Sequence, residues 1–206
     1  MKGVYITIDF ESVNARAGWF AYGIFVAEYP SGKLHEVHDG YCVRDEKEFD
    51  DVTRAFWEKN QLAWKTIEAR KKNHTEEEAE KILCQQIQEI TARYPMAYVV
   101  SDSPSYDVRI LDNILTKNGF PAISNRQKKH YYQTICTWSF QMAVLAMFRI
   151  KSNEVRQKLM NHQFYTANRE VDNFFGPRHT PNGDCARILS NHFCILDLMY
   201  LYGFFN

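Results

Sequence analysis

Val4-Tyr5-Ile6-Thr7-Ile8-Asp9-Phe10-Glu11 sets apolar residues at 4, 6, 8 and 10 against Tyr5, Thr7, Asp9 and Glu11. This period of two defines a β-strand and sends Asp9 and Glu11 to the same face of it. Residues 19–29 and 34–43 are also strand-like, and Tyr29-Pro30-Ser31-Gly32-Lys33 joins them. That turn chemistry makes the second and third strands an antiparallel hairpin. Residues 48–59 have the spacing of a short helix that turns Phe49, Val52, Phe56 and Trp57 inward. Thr75-x-x-Glu78 is a capping box, and the helix it opens carries Ala79, Ile82, Leu83, Ile87 and Ile90 before Pro95 ends it. Residues 96–101 are then a buried strand, after which Ser103 or Ser105 is placed to cap a helix bearing Val108, Leu111 and Leu115. Residues 131–136 read as a fifth strand, and a helix runs from Thr137 to the neighbourhood of Phe148. Residues 151–178 are polar, aromatic and irregular. The last helix, from Asp184 towards Tyr202, is apolar on most sides, as a buried helix is. The fold class is therefore α/β: a mixed central sheet of about five strands, the first three antiparallel, flanked by helices.

The length of 206 residues favours one domain, residues 1–206, with room for a genuine core. An apolar share of 45% and a charged share of 24% are those of a globular protein. No apolar run approaches the roughly 18 residues of a membrane helix, and no hydrophobic leader follows Met1. The expectation is a cytoplasmic protein with no membrane partner. The five cysteines are scattered and form no C-x-x-C pair, which argues against a disulfide scaffold or a zinc site and fits a reducing compartment. The net charge of zero conceals an asymmetry: residues 1–103 hold 13 Lys/Arg against 18 Asp/Glu, and residues 104–206 hold 12 against 7. A basic face can thus stand beside an acidic pocket.

Three short patterns carry chemistry. The first is Asp9-x-Glu11, which taken alone reads as two solvated acids at a strand end. The second is Asp102-Ser-Pro-Ser-Tyr106-Asp107, between a buried strand and a helix. Its acids either complement the helix macrodipole or present carboxylates at the strand end where open α/β sheets bind ligands. The third is His179-x4-Asp184, which places a histidine in a Pro/Gly loop just before the last helix. A second H-x4-D, His192 with Asp197, lies wholly inside that helix. Five residues at about 100° each put its members about 140° apart, so His192 reads as a helix side chain with a local partner.

Taken in order, Ile8-Asp9-Phe10-Glu11-Ser12, Ser105-Tyr106-Asp107-Val108 and His179-x4-Asp184-Cys185-Ala186 resemble the motifs of the DEDDh (DnaQ-like) 3′–5′ exonucleases, which have a ribonuclease-H-like fold. The resemblance spans residues 4 to about 200, without indicating a subgroup. The chain departs from the family pattern where Ser12-Val13-Asn14 replaces Thr-Thr-Gly and where Ser101-Asp102 replaces His-Asn. The resemblance implies stepwise release of nucleoside 5′-monophosphates from the 3′ end of single-stranded DNA or RNA. It implies two Mg²⁺ (or Mn²⁺) ions, at the about 3.5–4 Å separation of two-metal sites. By the same analogy Asp9 bridges both ions, Glu11 and Asp184 hold one, Asp107 holds the other, and His179 is the general base. Mg²⁺ takes hard oxygen ligands, and an imidazole with an ordinary pKa near 6.5 suits proton abstraction at neutrality.

Phe10, Ser12, Trp19, Phe20, Asp102, Tyr106 and Arg178 are the expected substrate contacts, with Trp19 and Phe20 either stacking a base or packing in the sheet. Charge and rings also alternate in Arg126-Gln-Lys128-Lys129-His-Tyr-Tyr132 and in Arg156, Lys158, Phe164, Tyr165, Arg169, Phe174 and Phe175. Such mixtures suit single strands, where charge follows phosphates and rings take bases. Several relatives form homodimers, so a homodimer is a further expectation. The alternatives are a nucleic-acid-binding module of the same fold without catalysis, and a metal-dependent phosphatase on small esters.

Overall fold

The computed structural model describes residues 3–14, 18–29, 31–42, 44–71, 74–125, 131–147 and 175–201. Five strands, β1 Val4–Ser12, β2 Trp19–Glu28, β3 Leu34–Tyr41, β4 Met96–Ser101 and β5 Tyr131–Cys136, form one sheet in the order β3-β2-β1-β4-β5. The first three pair antiparallel, while β4 lies parallel to β1 and β5 parallel to β4. The sheet is mixed as the sequence predicts.

The alternation of β1 decides which residues meet which layer. Ile6, Ile8 and Phe10 are buried with Leu83, Ile87 and Ile90 of α3 (Glu76–Arg93) and Leu111 and Leu115 of α4 (Asp107–Lys117). Tyr5 belongs to the opposite layer, with Phe25, Ala27, Val100 and the last helix's Cys185, Ile188 and Leu189. Burying such side chains stabilises the fold by roughly 1.5–3 kcal/mol each. Thr75 caps α3 in the expected capping box, its hydroxyl accepting from the Glu78 N–H while the Glu78 carboxylate accepts from the Thr75 N–H.

Several boundaries differ from the sequence reading. Helix α1 is Asp51–Lys59 rather than 48–59, because Asp50 caps it by accepting from the Thr53 N–H at 2.7 Å. Val52 is 80% exposed instead of inward. A separate helix α2, Gln61–Arg70, follows without signal in the pattern, since only Ala63 and Ile67 are buried on it. Neither Ser103 nor Ser105 caps α4 through its side chain. The Tyr106 and Asp107 N–H groups instead donate to the Ser103 carbonyl, at 2.8 and 3.0 Å. Helix α5 is Thr137–Met147. The last helix, α6, is Pro181–Leu201 and starts three residues before Asp184. Proline is well suited to a first helical position, and the Thr180 hydroxyl accepts from the Gly183 N–H at 3.3 Å.

Helix α6 lies very close to the sheet where β2 has a glycine. A Cβ on Gly23 would sit 2.6 Å from the Pro181 carbonyl oxygen and 3.1 Å from the Asn182 nitrogen. Gly23 pairs with Asp9 across the sheet, so this close approach brings the first turn of α6 against the acidic end of β1. The Cys185 thiol fixes the contact by donating to the Gly23 carbonyl at 3.1 Å. No described helix is long and apolar enough to cross a membrane, and the four described cysteines, 42, 84, 136 and 185, are free.

Candidate active site

Asp9 and Glu11 lie on the β1 face that meets α6, and Asp184 sits in the first turn of that helix. One carboxylate oxygen from each of the three falls within 4.8 Å of the others. The Asp9 Oδ2 is buried and has no hydrogen-bond partner among the described residues. Asp184 is held at both oxygens, Oδ2 accepting from the His179 backbone N–H at 3.0 Å and Oδ1 from the Arg187 guanidinium at 3.4 Å.

Asp107 is turned differently. Pairing between β1 and β4 ends at Thr7 opposite Val100, so the Phe10 N–H lies beyond that ladder. The Asp107 Oδ1 accepts from it at 3.2 Å, and Oδ2 accepts from the Ser101 hydroxyl at 2.8 Å. Asp107 is 2% exposed and stands against β1, but it is not one of the three carboxylates that converge within 4.8 Å.

The electrostatics follow from burial and from like charges packed together. Burial first, then neighbouring acids, push Asp9 and Glu11 well above the usual carboxylate range. Burial raises Asp107 to about 7, although its bonds from Ser101 and Phe10 oppose the shift. Asp184 rises to about 6 through burial, opposed by the His179 N–H and by Arg178. Asp102 is also raised by burial and adds negative potential at Asp9 and Glu11.

His179 takes the left-handed backbone region at φ 64°, uncommon for a residue with a side chain. Its Nδ1 lies 3.7 Å from the Asp184 Oδ2, and its ring meets Phe56 edge-on with centroids 4.8 Å apart. Burial, then Arg178, lower its pKa, so the imidazole is neutral at pH 7. Beside Glu11 opens a cleft of about 330 Å³ walled by Ser12, Val52, Phe56, Trp57 and Tyr106. Tyr106 donates to the Ser12 hydroxyl, which donates in turn to the Asn14 carbonyl at 3.0 Å.

The structure thus brings Asp9, Glu11, Asp184, His179, Asp107, Ser12 and Tyr106 together. Asp102 and the exposed Arg178 act on the cluster through their charges. Trp19 and Phe20 need correction as base platforms, because each is only 4% exposed. Phe20 packs on Phe49, Trp57 and Trp64, and Trp19 packs on Phe10 and Tyr22. Phe10 is likewise 4% exposed, although it lines the cleft. Arg126, Lys128 and Lys129 and the residues 151–174 lie outside the described residues.

Sequence reasoning missed Gly23, Arg187 and the cleft walls Val52 and Trp57. For Gly23 a signal existed, since glycine inside a strand often marks close approach of another backbone. The sequence reading gives His192 a local partner, but both ring nitrogens lack a hydrogen-bond partner among the described residues, and Asp197 is exposed.

No family model and no curated protein matches the sequence. Solved structures of E. coli exonuclease I do match the fold. The complex with a 5cy-dT13 oligonucleotide gives a TM-score of 0.59 at 10% identity, over 98% of this chain and 44% of that one. The zinc-bound form of the complex with single-stranded DNA gives 0.57 at 10% identity, over 98% and 41%. The product-bound structure gives 0.54 at 9% identity, over 98% and 46%. The sheet and its helices are therefore the ribonuclease-H-like fold of these exonuclease structures, and the chain spans less than half of their length.

Proposed function

We propose that this chain is a metal-dependent 3′–5′ exonuclease of the DEDDh kind, acting on single-stranded DNA or RNA. The observation that carries the reading is the convergence of Asp9, Glu11 and Asp184 within 4.8 Å, with a buried Asp9 oxygen that no described group satisfies. Like carboxylates buried together are costly, and a hard divalent cation is the partner that removes the cost. The donor set, all oxygen, suits Mg²⁺ or Mn²⁺. Asp9, Glu11 and Asp184 would hold the ion, and by the family resemblance Asp107 would serve a second. Bound there, the metal would supply Lewis acidity at the phosphoryl oxygen and lower the pKa of an attacking water.

The chain's own groups do the rest. His179, neutral at pH 7, takes the water's proton; its Nδ1 faces Asp184, which leaves Nε2 for that task. The water oxygen forms a bond to the terminal phosphorus as the bond from phosphorus to the 3′ oxygen of the preceding nucleotide breaks. A nucleoside 5′-monophosphate leaves, and the freed 3′ oxygen takes a proton from solvent to become the new 3′ hydroxyl of the shortened strand. The cleft beside Glu11 is sized for the terminal nucleoside, with Phe56 and Trp57 as apolar walls and the Ser12–Tyr106 pair as polar contacts. Exonuclease I, which shares the fold, is solved with single-stranded DNA and in a zinc-bound form, and both facts support this reading. Arg178 and the basic, aromatic segments outside the described residues are assigned to the strand's phosphates and bases.

The test is digestion of 5′-labelled DNA and RNA oligonucleotides with Mg²⁺, Mn²⁺ or EDTA. A ladder shortening from the 3′ end with metal, and none with EDTA, is the expected result. No cleavage of either sugar under any metal would overturn the assignment.

A further inference from the structure

Asp39 belongs to no motif of the sequence and to no step of the proposed reaction, yet it stands in line with the carboxylate cluster. Asp9 pairs with Gly23, and Gly23 pairs with Asp39, so the three form one row across β1, β2 and β3. Directly opposed residues of antiparallel strands point to the same face, which here is the face that meets α6. The middle member has no side chain, and the backbone of Pro181 and Asn182 fills that space. The first turn of α6 thus lies over the gap between two aspartates.

That turn is tied on both flanks. On the β1 flank Asp184 reaches Asp9 and Glu11. On the β3 flank the Asn182 Nδ2 donates to the Asp39 Oδ2 at 3.2 Å. The Asn182 side chain is buried, and its Oδ1 has no hydrogen-bond partner among the described residues. Asp39 sets which end of the amide faces β3, because the flipped amide would turn an oxygen to a carboxylate. The Asp39 carboxylate is held in turn, its Oδ2 accepting from the Tyr41 hydroxyl at 3.3 Å with the Arg70 guanidinium 4.0 Å away. Two strand spacings, roughly 10 Å, separate Asp39 from Asp9, and it is not among the acids that chiefly raise Asp9 or Glu11. Its influence on the cluster therefore travels through the bond to Asn182 and not through its charge. Asn182 and Asp184 are two residues apart, about 3 Å along the axis and about 200° round it. A roll of the turn that follows release of Asn182 carries Asp184 away from Asp9.

We infer that Asp39 is a positioning residue, which through Asn182 fixes the first turn of α6 and so holds the Asp184 carboxylate where a divalent ion needs it. The inference rests on the metal-dependent reading of Asp9, Glu11 and Asp184.

The test titrates the full chain with Mn²⁺ and melts the same variants in EDTA. Asp39→Ala and Asn182→Ala should each raise the Mn²⁺ dissociation constant about tenfold, the lower end of the cost of losing a group that orients a metal ligand. Asn182→Ala stands in should Asp39→Ala not fold. Asp39→Asn keeps an oxygen for the Asn182 Nδ2 and should bind Mn²⁺ within about twofold of the native chain. In EDTA the losses in Tm should not add: Asp39→Ala with Asn182→Ala should melt no lower than the less stable single variant, because both break one bond. Asp39→Asn losing as much affinity as Asp39→Ala would make the charge responsible and overturn the inference. Additive melting losses would overturn it as well. A native chain that binds no Mn²⁺ would overturn the metal reading and this inference with it, whereas native binding matched by both alanine variants would overturn this inference alone.

Discussion

Replacing Gly23 with alanine tests whether the close approach of α6 to the sheet sets the geometry of the carboxylate cluster. The added Cβ would stand 2.6 Å from the Pro181 carbonyl oxygen, 2.7 Å from its carbon and 3.1 Å from the Asn182 nitrogen. All three are backbone atoms, so no rotamer change relieves the clash. To reach an ordinary contact of 3.4 Å, the start of α6 must withdraw by about 0.8 Å. Overpacking of this kind typically costs about 1–3 kcal/mol, or a fall in Tm of roughly 3–10 °C in a chain of this length. Asp184 is one turn into that helix and Asp9 lies opposite Gly23, so the withdrawal opens the carboxylate trio directly. A misplacement near 1 Å costs on the order of 10²-fold in rate. The assay pairs a thermal melt with Mg²⁺-dependent digestion of a labelled oligonucleotide, turnover being normalised to folded protein. An unchanged melt would show that the helix is not pressed on the strand. A lowered melt with native turnover per folded molecule would show that the contact is structural and does not set the site.

Asp9→Asn should abolish metal-dependent hydrolysis while leaving the metal-free protein at least as stable at pH 8, because it removes one of several buried like charges; a destabilised, active variant would contradict the site. His179→Ala should retain Mg²⁺ binding, lose a factor of about 10²–10⁴ in turnover and flatten the acid limb of the pH–rate profile below about 6.5, the ordinary imidazole value from which burial lowers His179; an unchanged profile would remove it as the base. The folded-state pKa values of Asp107 and Asp184, about 7 and about 6, lie above the ordinary 3.8, so the folded chain binds more protons than the unfolded one. Without metal, stability should therefore fall as pH rises from about 4 through 7. Added Mg²⁺ should raise Tm more at pH 7.5 than at pH 5, and a metal-induced shift independent of pH would refute the cluster's titration. Arg187→Ala should weaken Mg²⁺-dependent turnover by freeing one Asp184 oxygen, with partial rescue in Arg187→Lys; equal loss in both would point to packing instead.

The strands were legible because β1 alternates cleanly and the β2–β3 turn carries its own chemistry. Asp9 and Glu11 followed as neighbours on one face, and His179 and Asp184 as a loop histidine before a helix. What escaped the sequence depended on tertiary placement. Val52 has the spacing of an inward residue, yet α1 buries only Trp57 and turns Val52 to the cleft. Trp19 and Phe20 follow the acidic motif closely, but β2 is nearly all buried and each is only 4% exposed. Asp107 was visible as an acid beside a helix start. Its orientation depended on an unpaired Phe10 N–H that exists only because β4 stops before β1 does.

The bond from Cys185 to Gly23 joins residues 162 positions apart, and this has a consequence for biosynthesis. At about 5–20 residues per second, roughly 10–30 s separate the emergence of β2 from that of α6 on the ribosome. Throughout that interval Tyr5 and Phe25 lack the helix that covers them, and Asp9 and Glu11 lack Asp184. The nascent chain therefore holds only part of the carboxylate trio, so on the proposed reading it would not cut the messenger that encodes it. Its exposed apolar sheet face would make it a chaperone client until the last helix docks.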